Sequence, residues 1–155
     1  MVSDDVVSAY ARDGVVVVRG LMTSAELELI AAGIGKVLAN RSSAAQVLSL
    51  PEDPGLFVED FCRWAEIDEI GKVALRSGVA RTAAELMDSP TARFYHDHIL
   101  VKEPGTEAAT PWHQDQPYYN VHGRGISAWI PVDRVPKIGS PEFWAGSHLG
   151  PWRLP

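Results

Sequence analysis

The chain changes its hydrophobic period near Pro90, and that change limits the folds open to it. Before it, apolar residues recur at helical intervals. After it, apolar and polar residues alternate, and four of the five tryptophans (Trp112, Trp129, Trp144 and Trp152) lie on the later side. Helices collected first and short strands afterwards predict an α+β fold in which helices back a sheet. A chain of 155 residues that is 46% hydrophobic has material for one core. Residues 1–155 therefore read as a single domain, with 1–90 a mainly helical scaffold and 91–155 the β-rich part.

In the helical half, Ser3 is a candidate N-cap, and Val6, Val7 and Tyr10 form one stripe that ends at Gly14. Val15 to Val18 is a β-branched run between Gly14 and Gly20, which predicts a buried strand. Thr23-Ser-Ala-Glu26 has capping-box spacing, and Leu27, Ile30, Ile34, Val37 and Leu38 carry a helix to about Asn40. Gly33 and Gly35 each weaken that helix by about 1 kcal/mol relative to Ala, and read as tolerated. Arg41 to Gly55 is a loop. Phe57 to Asp88 reads as helical again, with a restart after Ser77 and a stop at Pro90. In the second half Arg93 to Lys102 alternates as a strand, Ile126 to Val132 reads as another, and Glu142 to Trp144 as a short one.

Composition excludes several classes of function. A net charge of -6 with no cluster of Lys and Arg argues against a nucleic-acid partner, which needs concentrated positive charge. The longest apolar runs, such as Val15 to Val18, fall far short of the roughly 20 residues that cross a bilayer, so no membrane span is expected. The single Cys62 cannot form an internal disulfide, and in an apolar, helical-looking stretch it reads as a buried inert thiol. The opening Met-Val-Ser-Asp-Asp has neither the charged nor the apolar region of a secretion signal, which predicts a cytoplasmic protein. No phosphate-binding or dinucleotide fingerprint is present.

Chemistry concentrates in Thr110-Pro-Trp-His-Gln-Asp-Gln-Pro-Tyr-Tyr119. In extended chain residues i and i+2 project the same way, so the His113 imidazole and the Asp115 carboxylate stand side by side and Gln114 points elsewhere. Such a pair supplies two corners of the 2-His-1-carboxylate arrangement, which leaves one face of a ferrous ion open. Taken alone, His-x-Asp occurs by chance in many chains and reads as a surface ion pair or a loop hydrogen bond. His96 and His98 form a His-x-His pair on one strand face, a rival cupin-like metal site set against ordinary hydrogen-bonded histidines.

The stretches Val15-Val-Val-Val-Arg-Gly-Leu21, Leu100-Val-Lys-Glu-Pro-Gly105, Thr110 to Asp115, Ser127-Ala-Trp-Ile-Pro-Val-Asp133 and Ala145-Gly-Ser-His148 resemble, in this order, the phytanoyl-CoA dioxygenase family. That family consists of non-haem iron, 2-oxoglutarate-dependent oxygenases. The resemblance runs from about Asp4 to Pro155. It implies a partial jelly roll, or double-stranded β-helix of cupin type, backed by the helices. It implies Fe(II) and 2-oxoglutarate as cofactors, O₂ as co-reactant, and a small-molecule or acyl-thioester substrate. Hydroxylation is the implied outcome, because halogenating relatives carry a small residue where Asp115 stands.

The resemblance also implies His113 and Asp115 as metal ligands, with Tyr95, Lys102 and Trp129 about the 2-oxoglutarate pocket. For Tyr95 and Trp129 the alternative is ordinary core packing, and for Lys102 a solvated strand end. Family members carry a second iron histidine, and an arginine for the far carboxylate of 2-oxoglutarate, later than Pro155. The resemblance is thus to an N-terminal portion, and a truncated chain is expected. His122 and His148 are the only later histidines here, and His148 matches a Gly-Ser-His turn that is not the family's iron ligand. The alternative functions are a catalytically incomplete, partner-dependent fragment, with homodimerisation through exposed strand edges, or a cupin-like metal-binding protein.

Overall fold

The computed structural model describes residues 1–151, so Trp152 of the aromatic-rich half lies outside them. In chain order the elements are α1 (Asp4–Asp13), α2 (Ser24–Ala39), β1 (Gln46–Val47), β2 (Phe57–Phe61), α3 (Asp68–Arg76), α4 (Val79–Leu86) and β3 (His98–Lys102). They fall into two compact units. The first collects Met1–Leu21, Gly78–Arg93 and the chain from Pro111 onward; the second is Met22–Ser77 with Phe94–Thr110.

The second unit is a helix pair on a small sheet. The strands lie in the order β1-β2-β3, all antiparallel, with Val58 opposite Val101 and Asp60 opposite Ile99. Because side chains alternate along a strand, Val58, Asp60, Ile99 and Val101 share one face. Ile99 joins Val37 of α2 and Ile67 and Ile70 at α3 in the core, with Ile30, Ile34, Trp64 and Val101 packed against it. The opposite face carries Phe57, Glu59 and Phe61 from β2 and His98, Leu100 and Lys102 from β3. α2 starts in the predicted capping box: Glu26 N–H donates to Thr23 Oγ1 at 3.2 Å, and Thr23 N–H donates to Glu26 Oε2 at 2.8 Å. Gly35 faces open space, as tolerance predicts, but Gly33 does not. A Cβ on Gly33 would come within 2.5 Å of Ile70 Cδ1, so a larger residue there must push the Ile70 side chain aside.

Residues 57–61 form a strand and not the expected start of a helix. The stretch has apolar side chains on both faces of a two-residue period, and β1 and β3 satisfy its backbone from both sides. Phe61 and Trp64, which look like one helical stripe, straddle the end of that strand. Cys62 follows it at φ 59° and is exposed, which corrects the buried thiol. The β3 ladder starts at His98 and not at Arg93. Just before it, the Asp97 carboxylate accepts the N–H groups of Arg63 (3.0 Å) and Trp64 (2.9 Å), and the Asp97 carbonyl accepts from Cys62 N–H at 3.0 Å.

Among the ion pairs of this unit, one has both side chains buried. Arg63 Nη1 donates to Asp60 Oδ2 at 2.7 Å, with side-chain exposures of 4% and 1%. Burial pulls the Asp60 carboxyl upward, but bonds from Ser42 Oγ, Ser42 N–H, Phe61 N–H and Arg63 outweigh it and hold the group below the usual carboxylate range.

In the first unit α1 packs on α4, and Val2 N–H donates to Glu85 Oε2 at 2.7 Å. Gly14 ends α1 in the left-handed region at φ 74°. The free carbonyls at that end are met from far along the chain: Gly146 N–H donates to Asp13 O at 2.8 Å, and His148 Nε2 bonds Ala11 O at 3.1 Å. Residues 15–18, 126–132 and 142–144 form no ladder, contrary to expectation. A strand needs a neighbour for its N–H and C=O groups, and none among the described residues pairs with these stretches. The described residues thus show an α+β arrangement with one three-stranded sheet and no jelly roll. None of their helices is long and apolar enough to cross a membrane.

Candidate metal centre

The motif segment lies in the first unit. Asp115 caps a 3₁₀ turn, Gln116–Tyr118, whose proline favours the turn over extended chain. His113 packs its ring edge-on against Tyr118, with centroids 5.9 Å apart and planes at 88°. On its other side His113 Nδ1 meets the Pro111 carbonyl at 2.8 Å. A carbonyl only accepts, so Nδ1 carries the proton and, in the neutral ring, Nε2 presents a bare lone pair. That nitrogen lies 3.3 Å from Asp115 Oδ1. The other carboxylate oxygen, Oδ2, accepts from Ser127 Oγ at 2.5 Å. Gln114 points away, its amide donating to Ser147 O at 3.1 Å.

Two lone pairs facing across 3.3 Å repel unless a proton on Nε2, which makes the contact an ion pair, or a metal ion lies between them. The distance suits a divalent metal: two cis donors at about 2.1 Å from one ion are about 3.0 Å apart. Both side chains are partly exposed, His113 at 34% and Asp115 at 47%. The pair fits two corners of a metal site. Among the described residues no group of three His, Cys, Asp or Glu side chains is placed to hold an ion.

The other predicted residues are distributed differently. Trp129, 52% exposed, is in the same unit as the pair, two residues beyond Ser127. Tyr95 and Lys102 belong to the second unit. Tyr95 is 59% exposed and packs its ring against His96 at 5.1 Å. Lys102 Nζ bonds the Ala108 carbonyl and lies 5.1 Å from the centre of the Phe57 ring. His96 Nδ1 meets the Asp97 carbonyl at 3.0 Å, while His98 Nε2 meets Glu59 Oε2 at 2.9 Å and its ring stacks on Phe61 at 4.1 Å. The two histidines thus have separate hydrogen-bonded partners. His148 is held at the end of α1, and His122 is exposed in its loop.

Sequence reasoning expected Thr110, Pro111 and Trp112 to fix the approach of the ligands, but not the bonds from Ser127 and to the Pro111 carbonyl. Both hold the pair by hydrogen bonds, and neither contact follows from spacing: Ser127 is 12 residues from Asp115.

An imidazole nitrogen beside a carboxylate oxygen supplies two of the three donors in the 2-His-1-carboxylate set of non-haem iron oxygenases. The model of the phytanoyl-CoA dioxygenase (PhyH) family matches residues 10–154, and the chain belongs to that family. Its members are broadly Fe(II)- and 2-oxoglutarate-dependent oxygenases acting with O₂ on small molecules. No curated protein and no solved structure matches the chain.

Proposed function

We propose that the chain serves an Fe(II)/2-oxoglutarate-dependent dioxygenase that hydroxylates a small molecule or acyl thioester, with His113 and Asp115 as two of the three iron ligands. The observation that carries this reading is the clamped pair. Pro111 orders the imidazole so that Nε2 faces Asp115 Oδ1, and Ser127 holds the far carboxylate oxygen. Iron bound there supplies oxidation of a substrate C–H, coupled to decarboxylation of 2-oxoglutarate. The protein's own part is to keep two donors in register before the ion arrives, which lowers the reorganisation needed on binding.

Tyr95, Lys102 and Trp129 are assigned to the 2-oxoglutarate pocket, Lys102 as the cation for a carboxylate. The strand periodicity of residues 126–132 supports a jelly-roll framework within one domain. Ferrous iron and the free thiol of Cys62 both suit the reducing cytoplasm, the compartment we assign. A second reading is favoured by the missing third donor among the described residues: a chain that becomes active only with a partner segment or a second copy. The outward edge of β3 is where a second copy would pair.

Anaerobic Fe(II) titration with and without 2-oxoglutarate tests the reading. The enzyme reading expects a visible charge-transfer band in the wild-type chain that is lost in His113→Ala. A folded wild-type chain without the band leaves the partner-dependent reading.

A further inference from the structure

We infer that Ser127 is a positioning residue that makes Asp115 a one-oxygen ligand; this rests on the reading of His113 and Asp115 as a metal pair. A carboxylate has two equivalent oxygens and rotates through a broad, roughly two-fold χ2 well, so nothing in Asp115 itself decides how it meets an ion. Ser127 decides it. Its hydroxyl donates to Oδ2 at 2.5 Å, within the short range of an O–H bond to a charged oxygen. Oδ2 is thereby occupied and Oδ1 is left facing His113 Nε2 at 3.3 Å. The imidazole is fixed in the same sense from the other side by Pro111.

The consequence concerns coordination number. A carboxylate that chelates through both oxygens fills two positions on an ion, and one that binds through Oδ1 alone fills one. Ser127 therefore keeps one more position free for other ligands. The bond also ties the segment around Trp129 to the segment carrying the ligands, although the two serine and aspartate positions are 12 residues apart. Ser127 is itself exposed, so its hydroxyl is not needed to fill a core.

The test uses the full 155-residue chain and Co(II) as probe, read by equilibrium affinity and by the visible d–d band. Removing a hydrogen-bond partner of a metal ligand costs about 10- to 100-fold in metal affinity. Ser127→Ala should show that loss together with a weaker d–d band, the mark of a higher coordination number, while Ser127→Thr keeps the hydroxyl and restores both. Far-UV circular dichroism confirms that each variant is folded. Wild-type binding that His113→Ala abolishes and Ser127→Ala leaves unchanged overturns the role of Ser127 and leaves the metal pair standing. A folded wild-type chain that binds no Co(II) overturns the metal pair itself, and the role of Ser127 with it.

Discussion

Arg63 can be buried only because Asp60 meets it. Its Nη1 donates to that carboxylate at 2.7 Å and its Nη2 lies 3.2 Å from Glu66, while Nε is buried without a hydrogen-bond partner. Removing one member of a buried pair leaves an uncompensated charge, and Asp60→Ala should lower the unfolding free energy by about 3–5 kcal/mol in urea denaturation. The double change Asp60→Leu with Arg63→Met should cost less than Asp60→Ala alone, since neither charge is left behind. In sequence the two residues stand three apart within a stretch that reads as helical. The pair instead spans the end of β2, and only tertiary contacts with Ser42 reveal its burial. At the candidate site the closeness of His113 and Asp115 agrees with their i, i+2 spacing. Asp115, however, stands in helical backbone, φ -67° and ψ -40°, at the head of a 3₁₀ turn, so extended alternation is not the cause. The hydroxyl on Asp115 comes from a distant segment, so no local pattern carries it.

Among the elements, α2 shows how one helix can hold two glycines for different reasons. Gly33 lies where α3 approaches, and Gly35 faces open space. Gly33→Ala gains helix propensity but forces the buried Ile70 to move, and overpacking costs about 1–3 kcal/mol, so net destabilisation is expected. Gly35→Ala should stabilise by up to about 1 kcal/mol. Opposite shifts of the urea midpoint check both at once. The capping box and stripe of α2 were legible because a helix satisfies most of its own backbone. Strands were less legible. Residues 57–61 became a strand through two neighbours far off in sequence, and residues 15–18 and 126–132, with the right period, have no ladder among the described residues.

Across the described chain the resolved carboxyl shifts point one way. The carboxyls of Asp13, held by Arg12, of Glu26, held by the Thr23 N–H, and of Glu69, held by Lys36, all titrate below their ordinary range. Asp60 does so despite burial. An unfolded chain then takes up protons first, near about pH 4, and the folded form only at lower pH. The stabilisation from these groups is therefore complete above that range and is lost as pH falls through the lowered values. Urea midpoints should decline below about pH 4, and more shallowly in Asp60→Asn.

The hydrogen bonds that close the end of α1 also set an order of events during synthesis. α1 lies within the first 13 residues, while the groups that satisfy its last carbonyls, at Gly146 and His148, arrive up to 137 residues later. At a synthesis rate of about 5–20 residues per second, α1 waits on the order of ten seconds for them. The second unit has its last strand, β3, by Lys102. It can close around its sheet while the first unit still lacks its final stretch.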